Sequence, residues 1–179
     1  MNEFLQRFEK VPVQEYPNHV PADPMISVCV QTYQHVNYIE QCLKGILMQK
    51  TKFPVEILIG EDASTDGTRE VCEKYAGRHP DKIRLFRHHR ENNIKINGTP
   101  TAQFNSMYNF MSARGQYIAF CEGDDYWIDP YKLQNQVDFL ESNPDFGMVS
   151  SDVVLVNEDG RPLDDNDMII RQRELRKPI

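Results

Sequence analysis

Short apolar runs alternate along this chain with segments in which apolar residues recur at helical spacing. Five runs have the length and the β-branched character of buried strands: MISVCVQ (25–31), VEILIG (55–60), KIRLFRH (82–88), QYIAFC (116–121) and FGMVSSDVVLVN (146–157). Between them, apolar positions three and four residues apart predict helices over about 37–49, around 71–75, over 103–113 and from 130 to about 142. This order predicts an α/β fold with a mostly parallel sheet and helices on both faces.

The ends of the chain lack this pattern. Residues 1–24 carry four prolines and weak periodicity, which predicts an extended N-terminal arm before a domain over residues 25–157. Residues 158–179 are expected to form a turn and a tail. On the helix over 103–113, the predicted buried stripe is Phe104, Met107, Tyr108 and Met111.

Composition narrows the functional classes. The 179 residues carry a net charge of −7, which argues against a general nucleic-acid-binding protein. No apolar run reaches the roughly 18 residues of a membrane span, and the N-terminus lacks the apolar core of a signal peptide. The four cysteines form no CxxC pair, which favours buried, reduced thiols and a cytoplasmic protein.

A polar cluster follows each of the first four predicted strands. The clusters are QTYQ, EDASTD, HHRENN and EGDD, in chain order. In parallel α/β sheets, ligands bind at the carboxyl ends of the strands. The four clusters therefore predict one ligand site on a single rim of the sheet.

The second cluster also fits a calcium loop. In EDASTDGTREVCE, which covers residues 61–73, oxygen-bearing side chains and Gly67 occupy positions 1, 3, 5, 6 and 12 of an EF-hand loop that starts at Asp62. An EF-hand needs a helix entering the loop, whereas here an apolar strand enters it, and Arg69 takes position 8. The alternatives are a strand-to-helix turn that binds nothing, with Asp66 as N-cap, and a rim loop that touches a ligand. The other rim clusters favour the last.

Three segments in register resemble the family 2 glycosyltransferases of the GT-A fold. ISVCVQTYQ, ILIGEDASTDGT and GQYIAFCEGDDYW match the family's strands that end in Thr-Tyr-Asn, in Asp-Asp-x-Ser-x-Asp-x-Thr and in the metal-binding Asp-x-Asp. The resemblance covers about residues 25 to 150 and implies a Rossmann-like nucleotide-diphospho-sugar transferase fold. The family places its acceptor-binding portion and catalytic base after the fifth strand. The base is therefore expected beyond Ile179, and this chain alone is expected to be inactive, since DDND (164–167) follows a turn too soon to replace that base.

The resemblance also implies which residues bind the nucleotide. Asp62 matches the position that accepts the N–H of the base, which favours a uracil. Tyr33 would stack on the base, and Thr32 or Gln31 would bond the ring or the ribose. Glu61 would contact the ribose or orient its neighbours. Gln31 departs from the Pro that is usual in the family.

The acidic run carries the predicted cation site. Asp124 is expected to coordinate Mg²⁺ or Mn²⁺, which would bridge the diphosphate of the donor. Glu122, where the family usually has Asp, would face the ribose or a metal-bound water. Asp125 would support the metal or the donor sugar. In the third cluster, Arg90 or Lys95 would meet phosphate and His88 and His89 would bind a metal, unless HHR (88–90) is simply a surface loop.

The resulting hypothesis is a metal-dependent, inverting hexosyltransferase that moves a sugar from a nucleotide-diphosphate donor, a UDP-sugar above others, to a saccharide or lipid-linked acceptor. The basic segment RQRELRK (171–177) suggests peripheral contact with the inner face of a membrane, and an exposed sheet edge suggests a homo-oligomer. The alternatives are a non-catalytic nucleotide-binding or assembly module on the same fold, and the calcium-binding protein.

Overall fold

The computed structural model of the chain describes residues 1–157 and 160–163. The chain divides into two compact units, Met1–Phe139 and Leu140–Ile179. This division lies before the boundary expected at residue 157, and the functional division of the chain into domains stays a prediction.

The first unit is built on a five-stranded sheet. Its strands are β1 (Gln14–Glu15), β2 (Ile26–Thr32), β3 (Val55–Glu61), β4 (Ile83–Arg87) and β7 (Tyr117–Phe120), and a separate small hairpin pairs β5 (Lys95–Ile96) with β6 (Thr99–Pro100). The spatial order is β1-β4-β3-β2-β7, and all neighbours are parallel except β1, which is antiparallel to β4. The helices are α1 (Asn2–Phe8), α2 (Ile39–Leu47), α3 (Thr68–Arg78), α4 (Gln103–Ser112) and α5 (Lys132–Ser142).

Helices cover both faces of the sheet, as the alternation of elements predicts. Alternate residues of each strand point to opposite faces. On one face, Val28 and Ile57 belong to a core cluster that includes buried residues of α2, α3 and α5. On the other face, Cys29 and Leu58 pack with Tyr108 of α4. The mostly parallel α/β fold is therefore confirmed, and all four cysteines are buried free thiols, also as predicted.

Helix α4 packs on the sheet through two amides rather than through the predicted apolar stripe alone. The buried residues of α4 are Phe104, Asn105 and Asn109, whereas Met107 remains 42% exposed. Asn105 donates to the carbonyl of Gly60 at 2.7 Å, and Asn109 is buried among strand carbonyls in the same way. A Cβ on Gly60 would lie 1.7 Å from Asn105 Oδ1, so only glycine allows this close approach. The stripe prediction was wrong for Met107 because polar side chains satisfy the strand ends beneath α4.

The N-terminal arm is not extended throughout. Residues 2–8 form α1, where Phe4 stacks on Phe104 of α4 with ring centroids 5.3 Å apart. Residues 14–15 form β1 and pair with the outer edge of β4. The prolines therefore exclude regular structure from only part of the arm, because an open sheet edge and an aromatic surface stabilise the remainder.

The predicted strand over 146–157 is absent from the described residues. The pairing described there is an isolated bridge between Val156 and Pro162, beside which Asn157 N–H donates to Arg161 O and Leu163 N–H donates to Leu155 O, both at 2.9 Å. A strand requires a neighbour for its backbone groups, and no described strand pairs with residues 146–155. The segments DDND and RQRELRK lie outside the described residues. Across the residues described, no helix combines the length and apolar character needed to cross a membrane.

Candidate functional site

Two rim loops meet at the end of β2, where the strand order of the sheet reverses. The backbone N–H of Asp62, after β3, donates to Thr32 O at 3.1 Å. The backbone N–H of Gly123, after β7, donates to Gln31 O at 2.9 Å. Adjacent residues of β2 thus hold the loop with Asp62 on one side and the acidic run on the other. In open α/β sheets, this reversal is where ligands bind.

Asp62 is buried and held by two side chains from the loop after β4. One carboxylate oxygen, Oδ2, accepts from Arg90 Nη1 at 2.5 Å and from Asn93 Nδ2 at 2.9 Å. The other oxygen, Oδ1, is buried and has no hydrogen-bond partner among the described residues. Burial raises the pKa of Asp62 above its usual value, although Asn93 and Arg90 act in the opposite direction. The side chain therefore offers one unpaired acceptor at the rim.

Tyr33 and Arg90 form one stacked pair above this carboxylate. The guanidinium of Arg90 lies 3.8 Å from the centroid of the Tyr33 ring, a cation–π distance. Tyr33 is 39% exposed. Arg90, for which the sequence left phosphate binding and a surface loop open, instead pairs with Asp62 and covers one face of Tyr33.

Glu61 holds the loop and is not available for a ribose. Its side chain is fully buried, Oε1 accepts the backbone N–H of Ser64 at 2.7 Å, and Oε2 is paired with Arg69 Nε. The sequence interpretation of Glu61 as a ribose contact is thus not supported by its position, because both oxygens already have protein donors. Its alternative role, orienting neighbouring groups, agrees with these contacts.

The oxygens of the calcium-loop pattern do not converge on one point. Asp66 accepts from Thr68 N at 3.0 Å and from Val36 N at 3.1 Å, so it secures the start of α3 and the loop after β2. Ser64 Oγ accepts from Gln34 N at 3.0 Å. The chain enters the loop from β3, so the helix that an EF-hand requires is absent from this position. The calcium-sensor alternative is wrong, and Ser64 and Asp66 instead hold the loop through these hydrogen bonds.

Gln31 and Thr32 lie beneath the rim, and their side chains are almost fully buried. Gln31 Oε1 has no partner among the described residues. Thr32 Oγ1 lies 3.3 Å from His35 Nδ1, and a Cβ on Gly123 would come within 2.8 Å of Thr32 Cβ. Thr32 therefore supports the acidic loop and His35, and its contact with a ligand stays a prediction.

The acidic run after β7 is an exposed concentration of negative charge. Burial and the neighbouring charge of Asp124 raise the pKa of Glu122. The same two causes raise the pKa of Asp125. Asp124 Oδ2 lies 3.9 Å from His35 Nε2, and the side chain of Asp124 is 53% exposed. A cation would relieve the mutual repulsion of these carboxylates.

His35, like Asn93, is a rim residue that the sequence patterns do not indicate. It lies in the loop between β2 and α2, beside both Thr32 and Asp124. No group of three His, Cys, Asp or Glu side chains in the described part of the chain is arranged to hold a metal. Magnesium sites often use only one or two carboxylates together with substrate phosphates, so Asp124 and its neighbours fit a cation that arrives with a diphosphate.

His88 is buried against α4. Its ring lies edge-on to Phe104 and Tyr108, with centroids 5.6 and 5.1 Å away. Burial lowers the pKa of His88 to about 3. The metal-ligand and surface-loop interpretations of His88 are both wrong, because α4 covers the ring. His89 and Lys95 remain exposed.

Comparison with known proteins agrees with this geometry. Residues 27–178 match the model of Glycosyl transferase family 2. An uncharacterized protein of Mycobacterium tuberculosis is 39% identical over 135 residues, which are 75% of this chain and 37% of that protein. The chain thus spans less than half the length of this curated relative.

Two solved structures share the fold. A mannosyltransferase from Pyrobaculum calidifontis in complex with GDP-Man and Mn²⁺ is 26% identical, with a TM-score of 0.52 over 75% of this chain and 37% of that one. Staphylococcus aureus TarS 1–349 in complex with UDP-GlcNAc is 26% identical, with a TM-score of 0.51 over 66% of this chain and 32% of that one. The chain belongs to glycosyltransferase family 2 and has the sheet of the GT-A fold.

Proposed function

We propose that this chain binds a nucleotide-diphosphate sugar at the rim of the sheet and belongs to an enzyme that transfers the sugar to an acceptor hydroxyl. The supporting observation is the pair of backbone bonds from Asp62 and Gly123 to adjacent residues at the end of β2. They bring an unpaired carboxylate oxygen and an acidic run to opposite sides of one strand end. The similar structures with bound UDP-GlcNAc and GDP-Man support a nucleotide-sugar donor.

The base is proposed to bind between Tyr33 and Asp62. Asp62 Oδ1 is an acceptor without a donor, and the imide N–H of a uracil would supply one. The guanidinium of Arg90, beside the same carboxylate, carries donors for the carbonyl oxygens that flank this N–H. A UDP-sugar is therefore the proposed donor, and Gln31 and Thr32 are proposed to line the ribose side.

Asp124 is proposed to hold Mg²⁺ or Mn²⁺, with Glu122 and Asp125 close by. Such a cation neutralises the charge that develops on the departing diphosphate. Asp125 is proposed to contact the donor sugar. Inversion at the anomeric carbon is proposed from family membership, and the group that takes the proton of the acceptor hydroxyl is not identified among the described residues.

Calorimetry with UDP in the presence and absence of Mn²⁺ tests the donor site. We expect saturable binding that Mn²⁺ strengthens, and we expect Asp124→Ala to remove this strengthening. Asp81→Ala is the matched control, because Asp81 is also an exposed aspartate and precedes β4, at the edge of the sheet opposite to the rim. If UDP and GDP both fail to bind with the metal present, the donor-site proposal is wrong. The acceptor, contact with a membrane and pairing between copies stay predictions.

A further inference from the structure

Asn93 forms a hydrogen bond to Asp62, the carboxylate that is proposed to bind the base. Its side chain is 5% exposed, and its Nδ2 donates to Asp62 Oδ2 at 2.9 Å. The same oxygen also accepts a hydrogen bond from Arg90 Nη1. Because Oδ2 is occupied by these two donors, Oδ1 remains the only carboxylate oxygen of Asp62 that is available to a ligand.

The N-terminal arm fixes the backbone that carries Asn93. The preceding residue, Asn92, accepts the backbone N–H groups of Lys10 and Val11 at 2.8 and 2.9 Å. It also donates to Val11 O at 2.7 Å. The N–H of Asn93 donates to Arg90 O at 3.2 Å. Asn93 is therefore held from both the arm and the turn, and its amide reaches Asp62 from a fixed backbone.

Asn93 and Asp62 together present acceptors that lack a donor. Asn93 Oδ1 and Asp62 Oδ1 are both buried without a hydrogen-bond partner in the described part of the chain. The amide cannot exchange its oxygen and nitrogen without placing an oxygen against the carboxylate. A buried acceptor without a partner is costly, so a ligand that reaches this pair must bring a donor.

We propose that Asn93 is a positioning residue that makes the site select bases with a ring N–H, namely uracil, thymine or guanine, over cytosine and adenine. The inference rests on the proposed nucleotide-sugar site. Cytosine and adenine carry an unprotonated ring nitrogen at the corresponding edge, and this acceptor would face Asp62 Oδ1. By donating to Oδ2, Asn93 keeps the other oxygen aimed at the base and keeps the carboxyl ionised.

The charges around Asp62 make this support necessary. Burial and the neighbouring Glu61 raise the pKa of Asp62, whereas Asn93 and Arg90 lower it. Loss of the Asn93 hydrogen bond is therefore expected to raise the pKa further. A protonated Asp62 would place an O–H donor opposite the N–H donor of the ring, and the site would then lose its preference for bases with a ring N–H.

Calorimetry on the full chain with Mn²⁺ and either UDP or CDP tests the proposal. We expect the wild type to prefer UDP, and we expect Asn93→Ala to weaken UDP binding by about tenfold or more while CDP changes by less than about twofold, as for loss of a hydrogen bond to a charged group. Asn135→Ala, at an exposed position of α5, is the matched control and should leave both affinities unchanged.

The pH profile separates positioning from a general structural role. Binding should fall as the pH decreases through the pKa of Asp62, and this midpoint should lie at higher pH in Asn93→Ala than in the wild type. Equal losses of UDP and CDP, or an unchanged midpoint, would overturn the role of Asn93. A wild type that prefers CDP would also overturn it. A wild type that binds neither UDP, GDP nor CDP would instead show that the proposed function itself is wrong.

Discussion

A methyl group added at Gly123 should displace the acidic loop from β2. The Cβ of Gly123→Ala would lie 2.7 Å from Thr32 Oγ1, 2.8 Å from His35 Nδ1 and 2.8 Å from Thr32 Cβ. The oxygen and the ring can rotate, but Thr32 Cβ is attached directly to the backbone of buried strand β2. The loop must therefore move instead of the strand.

The required movement follows from these distances. Ordinary van der Waals contact begins at 3.4 Å, so the loop must retreat by 3.4 − 2.8 = 0.6 Å. The hydrogen bond from Gly123 N–H to Gln31 O is 2.9 Å long, and the same displacement along it would stretch it to the limit of a hydrogen bond. Overpacking of this kind costs about 1–3 kcal/mol of unfolding free energy.

Urea unfolding, followed by the fluorescence of Trp127, the only tryptophan, measures this loss. Calorimetry with UDP and Mn²⁺ should also show binding weakened by about tenfold, or about 1.4 kcal/mol, because Asp124 moves with the loop. Gly147→Ala is the control, since its Cβ would meet nothing within 4 Å. If Gly123→Ala matches Gly147→Ala in both stability and binding, the loop is not held against β2 as described.

Two further predictions concern the core. Glu56 is fully buried, and burial acts to raise its pKa, but hydrogen bonds from Arg114 and Ser27 lower the pKa below its usual value. The ionised carboxylate should therefore stabilise the fold at neutral pH, and this stabilisation should be lost as the pH falls through the lowered pKa. Glu56→Gln should reduce the unfolding free energy by about 2–3 kcal/mol at pH 7, and a loss no larger than that of Glu70→Gln, at an exposed position of α3, would contradict this. Burial and the charge of Glu56 raise the pKa of Cys29 to about 12, and the other three thiols are also buried. A thiol reagent at pH 8 should therefore label none of the four in the native protein and all four in guanidinium chloride, and rapid labelling of the native protein would refute their burial.

The sequence by itself determined four strands of the sheet (β2, β3, β4 and β7), the helices α2 to α5 and the rim on which the polar clusters lie. A strand that is buried on both faces needs a continuous apolar run such as VEILIG, and this pattern lies within one short segment of the sequence. Parallel order then places the residues after β2, β3 and β7 at one edge, which is why the sequence alone predicts a common rim for Asp62 and Asp124.

Only the tertiary structure decided which oxygens at that rim are available. Glu61 and Asp62 are neighbours in the chain, but their carboxylates differ. Both oxygens of Glu61 accept hydrogen bonds, from Arg69 and from the backbone of Ser64. Arg90 and Asn93 both donate to Oδ2 of Asp62, which leaves Oδ1 unpaired. These hydrogen-bond partners come from different elements, so no local sequence pattern predicts them.

The same physical reason explains the other departures. His35 lies beside Asp124 because β2 and β7 are adjacent in the sheet, although the two residues are far apart in the chain. Residues 14–15 became a strand because β4 had an open edge, and residues 146–155 did not because no described strand pairs with them. Apolar periodicity records what a segment buries, whereas hydrogen-bond partners depend on which segments the fold brings together.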